Sequence, residues 1–251
     1  MPDRSHPWRL SVGTIAGLIV GVVVVFVFWR LSTPQEETSP LGEVTVLGGF
    51  QDGVRMVLNT DTAMSWKDNE GCTQAWIQHG EMAVSADPIS EPVRIYDGKH
   101  QVDIADGSVD ARLQDGTLDV TVLSGHARVG PSAACSSPSP AAQTITVPAG
   151  KSILIDSQGA RIRAVSNDDL LLISGWQDAE LVLNHQTLRT AVQQYNRYLV
   201  HPITIAGPSL DEIRVAGRFP INHLQPFLEA LRDNFGIQAT QDGSGGIALS
   251  K

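Results

Sequence analysis

The stretch VDARLQDGTLDVTV, residues 109–122, alternates apolar and polar side chains on both sides of the pair Asp115-Gly116. Successive side chains of a β-strand point to opposite faces of the sheet, so this alternation is typical of a strand with one buried face. The apolar positions are Val109, Ala111 and Leu113 before the pair, and Leu118, Val120 and Val122 after it. An Asp-Gly pair between two alternating runs is a strong signal for a β-hairpin, and we predict one here.

The same pattern continues on both sides of this hairpin. Asp52-Gly53 and Asp97-Gly98 are further turn signals of the same kind. Five short runs are typical of additional strands: VRMVLN (54–59), AWIQH (75–79), VRIY (93–96), TITV (144–147) and SILID (152–156). Closely spaced short strands with turn residues between them predict an all-β sandwich or roll over residues 41–165.

Over residues 175–251 the apolar spacing changes to that of amphipathic helices. NHQTLRTAVQQYNRYLVHPITI (184–205) has apolar residues at helical spacing and then continues as a strand. NHLQPFLEALRDNFGIQAT (222–240) repeats this unit, with Gly236 in the position of a helix C-terminal residue. Two such units that share a sheet can bury apolar faces that neither could bury alone. We therefore predict a small α+β domain of the split βαβ kind, with two helices on one face of one sheet.

A single apolar run, LSVGTIAGLIVGVVVVFVFW, occupies residues 10–29 and has no charged side chain. As a helix its 20 residues would extend about 30 Å, which matches the hydrocarbon core of a bilayer. Basic residues precede the run, so the positive-inside rule predicts a cytoplasmic tail (1–9), a transmembrane helix (10–30), a linker (31–40) and an exported remainder. A cleaved secretory signal is the alternative, although its apolar region is usually shorter.

Charge and cysteine content restrict the function and the compartment. The 251-residue chain has a formal net charge of -9 at pH 7 and no cluster of Lys and Arg, which argues against nucleic-acid binding. Cys72 and Cys135 both lie in the predicted exported part, where an oxidising compartment would allow a disulfide between them. Two free thiols are the alternative, because nothing in the sequence places the two residues close together.

The sequence contains no recognisable catalytic or metal-binding motif. Its seven histidines are scattered, without the H-x-x-x-H, H-E-x-x-H or C-x-x-C spacing of metal sites. It also lacks the G-x-S-x-G elbow of hydrolases and the glycine loop that binds phosphates. We therefore expect neither an enzyme nor a bound cofactor or metal. A metal site assembled from residues far apart in the sequence is the remaining alternative.

In their order and spacing, several of these segments resemble the FecR family. The segments are VLNTDTAMSW (57–66), VTVLSG (120–125), VPAGKSILID (147–156) and residues 175–205, which contain Asn196-Arg197-Tyr198. They resemble the family's early strand and turn, its central signature, its L-x-A-G-Q strand and its N-R-Y segment. Each piece is short, but together they extend over most of the predicted exported part.

FecR-family members are inner-membrane regulators that act with TonB-dependent outer-membrane receptors and extracytoplasmic-function sigma factors. The resemblance implies a single-pass inner-membrane protein with most of its chain in the periplasm. Its domain 175–251, similar to the short N-terminal domain of secretins and TonB-dependent receptors, would receive the receptor's periplasmic signalling domain. Arg197 and Tyr198 match the N-R-Y positions and are the candidate partner-binding residues. The alternatives are that they only complete a helix, or that the partner pairs with an open sheet edge.

The resemblance does not extend to the N-terminus. Family members typically begin with a cytoplasmic domain of several dozen residues that holds the sigma factor, whereas nine residues, MPDRSHPWR, precede the apolar run here. Nine residues cannot form a useful interface alone. The alternatives are that a separate anti-sigma protein contacts the sigma factor, that the translated product is longer, or that the chain senses without regulating a sigma factor. We predict a FecR-type transducer that relays the state of a TonB-dependent receptor, for iron siderophores or another nutrient, toward sigma-controlled transcription. The alternative is a periplasmic scaffold protein with no sigma-factor role.

Overall fold

β-Strands make up most of the computed structural model, which describes residues 33–47, 53–69, 71–131, 144–241, 243 and 245–251. Residues Glu36–Lys251 belong to one compact unit. Strands β1 to β11 are Gln35–Ser39, Thr45–Leu47, Val54–Leu58, Thr62–Asn69, Cys72–Ala86, Val93–Tyr96, His100–Gln114, Thr117–Pro131, Ile145–Pro148, Lys151–Asp156 and Gly159–Ala164. Strands β12 to β16 are Glu180–Thr187, Ile203–Ile205, Arg214–Pro220, Gln238–Gln241 and Ile247–Ser250. Helices α1 to α4 are Asn167–Trp176, Leu188–Asn196, Pro208–Asp211 and Gln225–Phe235.

Strands β1 to β11 form a single large sheet in the order β1-β4-β5-β6-β7-β8-β10-β11, with β2, β3 and β9 paired beside this path. Its three longest strands, β5, β7 and β8, each have 15 residues and change neighbours along their length. The first half of β5 pairs with β4 and β6, whereas its second half pairs with β3 and β7. Buried apolar side chains from β2 to β10 form one core cluster, so the large sheet curves around a single core.

The predicted hairpin at Asp115-Gly116 is confirmed. Gln114 of β7 pairs with Thr117 of β8 across the turn. Both turn residues have positive φ angles, 51° and 73°, which is the backbone geometry that favours Asp-Gly in a two-residue hairpin turn. The predicted apolar face is buried in the core: Leu113 is partly buried, and Val109, Ala111, Leu118, Val120 and Val122 have no exposed surface. Alternation and turn chemistry therefore determine the central part of the large sheet.

Gly107 lies where the register of the β7–β8 ladder shifts. Its φ angle is 101°, and a Cβ atom built on it would lie 2.2 Å from the carbonyl oxygen of Ser124 in β8. No side chain fits at that distance, and residues other than glycine rarely adopt this backbone conformation. Gly107 therefore allows the two long strands to approach closely at the point where their pairing changes.

Replacing Gly107 by Ala is expected to lower the free energy of unfolding by about 2 kcal/mol more than the control Gly98→Ala, because the ladder must shift to admit the methyl group. Gly98 has nearly the same φ angle, 96°, but nothing lies within 4 Å of the position of its Cβ atom. The unfolding free energy of Gly98→Ala therefore measures only the cost of placing an alanine in this backbone conformation. Urea unfolding of both variants measures the difference, and equal losses would contradict the close approach of the strands.

The C-terminal segment, residues 166–251, contains all the helices among the described residues and two further sheets. β12 pairs with β14, whereas β13, β16 and β15 form a three-stranded sheet in that order. Helices α2 and α4 contribute Tyr195 and Phe227, whose ring centroids lie 4.6 Å apart, to a second core cluster. Gly236 ends α4 in the left-handed conformation, as predicted.

The prediction that this segment has one sheet with two helices on one face is wrong. The two predicted helices and the strands around them are present, but the strands are divided between two sheets. The physical reason lies directly after β13. Gly207, with a φ angle of 112°, and Pro208 start the short helix α3, and the chain then returns as β14 beside β12 instead of joining β16.

The fold-class prediction is also wrong in its first element, the transmembrane helix. Within the described part of the chain, no helix is long and apolar enough to cross a membrane. The longest helix there, α4, has 11 residues and extends about 16 Å, roughly half the thickness of the hydrocarbon core of a bilayer. The predicted span, residues 10–30, and the tail before it lie outside the described residues. Within the predicted linker, Gln35–Ser39 form β1 and pair with β4, and the other domain limits stay predictions.

Candidate functional site

The C-terminal segment packs against the outer face of the large sheet at a contact that we call the junction. Its residues are Asn59, Glu81, Asp110, Trp176, Arg197 and Tyr198. Met82 and Val84 of β5 belong to the core, so the alternate residues Glu81 and Ala83 face outward. Ala83 pairs directly with Asp110 of β7, which therefore lies on the same outer face. A cleft of about 290 Å³ is lined by this face and by the C-terminal segment.

Trp176, the last residue of α1, attaches this helix to the large sheet. Its side chain is buried against Val57 and Ala83 of the outer face. Its indole Nε1–H donates a hydrogen bond of 3.1 Å to Oδ2 of Asp110. A buried indole needs such an acceptor, so Trp176 combines apolar packing with a fixed polar contact at one place.

Glu81 and Arg197 form an ion pair that is largely removed from solvent. The guanidinium of Arg197 donates to Oε2 of Glu81, and Nδ2 of Asn59 donates to the same oxygen at 2.8 Å. The side chain of Glu81 is 7% exposed and that of Arg197 is 29% exposed. Burial opposes the charge of Arg197, but the adjacent Glu81, together with Tyr198 and Asp110, outweighs this effect, and the pKa of Arg197 is raised. Loss of either partner would leave an uncompensated buried charge.

Asp110 is the second buried carboxyl of the junction, with 3% of its surface exposed. It accepts the hydrogen bond of Trp176, and it is a diagonal neighbour of Glu81 on the outer face, because it pairs with Ala83 two residues further along β5. Burial, together with the charge of Glu81, raises the pKa of Asp110 well above that of an ordinary carboxyl. Asp110 therefore keeps its proton at pH values where an exposed aspartate is ionised.

All three residues of the Asn196-Arg197-Tyr198 motif make contacts within the chain. Nδ2 of Asn196 donates to the carbonyl oxygen of Ile203 at 2.9 Å, and the N–H of Ile203 donates to Oδ1 of Asn196 at 2.8 Å. Tyr198 is 5% exposed, and burial raises the pKa of its hydroxyl. The structure thus brings the predicted partner-binding residues Arg197 and Tyr198 together at the junction. Their contact with a partner protein stays a prediction.

Glu81, Asp110 and Trp176 were not predicted from the sequence as site residues. Both acids occupy polar positions of alternating strands, which normally face solvent, and the C-terminal segment covers them here. Helix α1 was also missed, although its start carries a recognisable signal. Ser166 and Asp169 follow the S-x-x-D pattern, and Oγ of Ser166 accepts a hydrogen bond from the N–H of Asp169.

The remaining predicted site residues are not part of the junction. Cys72 begins β5, nine residues before Glu81, and has no exposed surface. Cys135 lies outside the described residues, so the disulfide between them stays a prediction. Among the residues that the structure describes, no three His, Cys, Asp or Glu side chains are grouped so that they could hold a metal ion.

Two crystal structures of candidate anti-sigma factors from Parabacteroides distasonis share this fold. One is 17% identical and superposes with a TM-score of 0.56 over 87% of this chain and 99% of that chain. The other is 16% identical, with a TM-score of 0.56 over 86% of this chain and 99% of that chain. No protein-family model and no curated protein matches the sequence. At such low identity the likeness shows a common fold and does not assign the function of the two proteins to this chain.

Proposed function

We propose that this chain is a regulatory signalling protein of the anti-sigma type. The observation that carries the proposal is the fold that it shares with 99% of each of the two candidate anti-sigma factors. The shared part covers 87% and 86% of this chain, so it extends beyond the large sheet into the C-terminal segment. The resemblance of the Asn196-Arg197-Tyr198 segment to the FecR family narrows the proposal to a FecR-type regulator.

An open sheet edge in the C-terminal segment supports the binding of a partner protein. β15 lies at the edge of the three-stranded sheet, pairs only with β16 among the described strands, and has all four residues exposed. The free backbone groups of such an edge can pair with a strand of another protein. In this proposal the partner is the periplasmic signalling domain of a TonB-dependent outer-membrane receptor. A sigma factor, or a separate anti-sigma protein, is the downstream partner.

A continuous set of backbone and side-chain contacts connects this edge with the junction. β15 pairs with β16, and β16 pairs in parallel with β13. Ile203, the first residue of β13, is hydrogen-bonded to Asn196. Arg197, which follows Asn196 in the chain, forms the ion pair with Glu81. Binding at β15 would therefore act on the element that carries Arg197. We propose that the junction transmits partner binding to the large sheet.

Two adjacent proline substitutions in β15, Ala239→Pro and Thr240→Pro, test the site of binding. Successive N–H groups of a strand point to opposite sides, so one substitution removes a donor to β16 and the other removes a donor at the open edge. The variant that loses the outward donor should keep its free energy of unfolding but bind the partner about tenfold more weakly, as the loss of one hydrogen bond predicts.

Calorimetric titration of the full chain with the N-terminal signalling domain of a TonB-dependent receptor from the same organism measures this binding. The matched control is Arg161→Pro and Ile162→Pro in β11, an exposed edge strand of the large sheet. If the β15 and β11 substitutions weakened the affinity for the signalling domain equally, binding at β15 would be contradicted. No binding by the unmodified chain would instead favour the periplasmic scaffold.

A further inference from the structure

We propose that the junction is a proton-dependent latch, in which Asp110 holds a proton beside the ion pair of Glu81 and Arg197 while the C-terminal segment is docked and releases it when the segment undocks. The latch goes beyond the proposed function, because it concerns the contact between two parts of this chain and needs no partner protein. It would make the docking of the C-terminal segment respond to the pH of the compartment.

Residues of the C-terminal segment bury the two carboxyls. Trp176 donates its hydrogen bond to Asp110 at 3.1 Å, and Arg197 donates to Glu81. Tyr198, 5% exposed, lies beside Arg197 with its ring centroid 5.9 Å from the guanidinium carbon. All three groups leave the outer face of the large sheet together if the segment undocks. Undocking would therefore return Asp110 to solvent, where an aspartate ionises at neutral pH.

The charges at the junction oppose the ionisation of Asp110 while the segment is docked, because the adjacent Arg197 is already paired with Glu81. Among the described residues, Arg197 is the one cation that bonds to either carboxyl. The other charged residues that line the cleft are two arginines and two aspartates, which add no net charge: Arg112, Asp119, Arg163 and Asp169. On the other side of Glu81, His79 and Asp61 lie in a neighbouring cleft, and both are mostly exposed. The ion pair of Glu81 and Arg197 therefore leaves no cation at the junction to offset a charge on Asp110.

This arrangement fixes the sign of the pH dependence. The pKa of Asp110 is raised in the docked state, first by burial and then by Glu81, so the docked state binds the proton more tightly than the undocked state. Docking is therefore most stable below the ordinary pKa of an aspartate and weakens as the pH rises through the raised pKa of Asp110. Between the ordinary pKa of an aspartate and the raised pKa of Asp110, undocking releases one proton. In this range the equilibrium constant for undocking increases by up to about tenfold per pH unit.

Asp110→Asn tests the latch, because an asparagine amide can accept from Trp176 and, like the protonated aspartate, is uncharged, but at every pH. We follow the indole N–H signal of Trp176 in the full chain by NMR, identified by its absence in Trp176→Phe. We also measure the unfolding constant by urea titration between about pH 5 and about pH 9. In the wild type the indole signal should titrate, and the unfolding constant should increase by up to about tenfold per pH unit.

Both effects should be lost in Asp110→Asn and kept in the control Asp233→Asn, whose aspartate side chain is 62% exposed. The same pH dependence in Asp110→Asn and in the wild type would overturn the proposal. If Asp110→Asn does not fold, infrared spectroscopy of the wild type decides. The folded wild type should show the band of a protonated carboxyl at neutral pH, which disappears as the indole signal titrates. Absence of that band in the folded protein would overturn the latch.

Discussion

Replacing Arg197 by Ala should lower the free energy of unfolding by about 3 to 5 kcal/mol, the range expected when one partner of a buried ion pair is removed. The Glu81 side chain is 7% exposed, and it would keep the hydrogen bond from Asn59 but lose its cation. The carboxylate of Glu81 would then be buried beside Asp110 with no cation bonded to it. Urea unfolding at neutral pH measures the loss. The double variant Glu81→Gln/Arg197→Ala should recover part of it, because the buried charge is gone.

Arg218→Ala is the matched control for this prediction. Arg218 also pairs with a glutamate, Glu180 at 2.9 Å, but the two side chains are 62% and 38% exposed. An exposed ion pair of this kind contributes about 1 kcal/mol or less. If Arg197→Ala lowered the free energy of unfolding no more than Arg218→Ala does, the buried ion pair of Glu81 and Arg197 would not stabilise the docked C-terminal segment.

Phe227→Ala is expected to have a similarly large effect, about 3 to 5 kcal/mol, because it removes a fully buried aromatic ring and leaves a cavity. The Phe227 side chain has no exposed surface. Its ring centroid lies 4.6 Å from that of Tyr195 and 5.3 Å from that of Phe219, so α2, α4 and β14 meet at this ring. The measurement is urea unfolding followed by the fluorescence of the five tryptophans, one of which, Trp176, lies in the same segment.

Phe235→Ala in the same helix provides the comparison. Phe235 packs against the same cluster but is only partly buried, so its removal should cost roughly half as much in unfolding free energy. Equal losses for the two phenylalanines would indicate that the second core is not organised around Phe227.

Local signals in the sequence predicted the parts of the fold that depend on neighbouring residues. The Asp115-Gly116 hairpin was predictable because alternation and turn chemistry act over a few residues. Helices α2 and α4 were predictable because their apolar residues follow one face. The division of the C-terminal strands into two sheets was not, because it depends on where the chain turns after Gly207.

The junction was predictable only in part, for a related physical reason. The N-R-Y resemblance drew attention to Arg197 and Tyr198, and the structure places both there. The two acids of the junction, Glu81 and Asp110, lie more than 80 residues earlier, at strand positions whose polarity is typical of a solvated face. Only tertiary packing by Trp176 and Arg197 buries these acids, and no pattern within one strand reports it.

Deletion of the gene in its own organism, with transcript sequencing before and after complementation by the intact gene, tests the central claim of a regulatory role most directly. The account predicts that transcripts controlled by one sigma factor, including that of a TonB-dependent receptor, change on deletion and return on complementation. Unchanged levels of every such transcript, with the protein shown to be present in the parent strain, would contradict it.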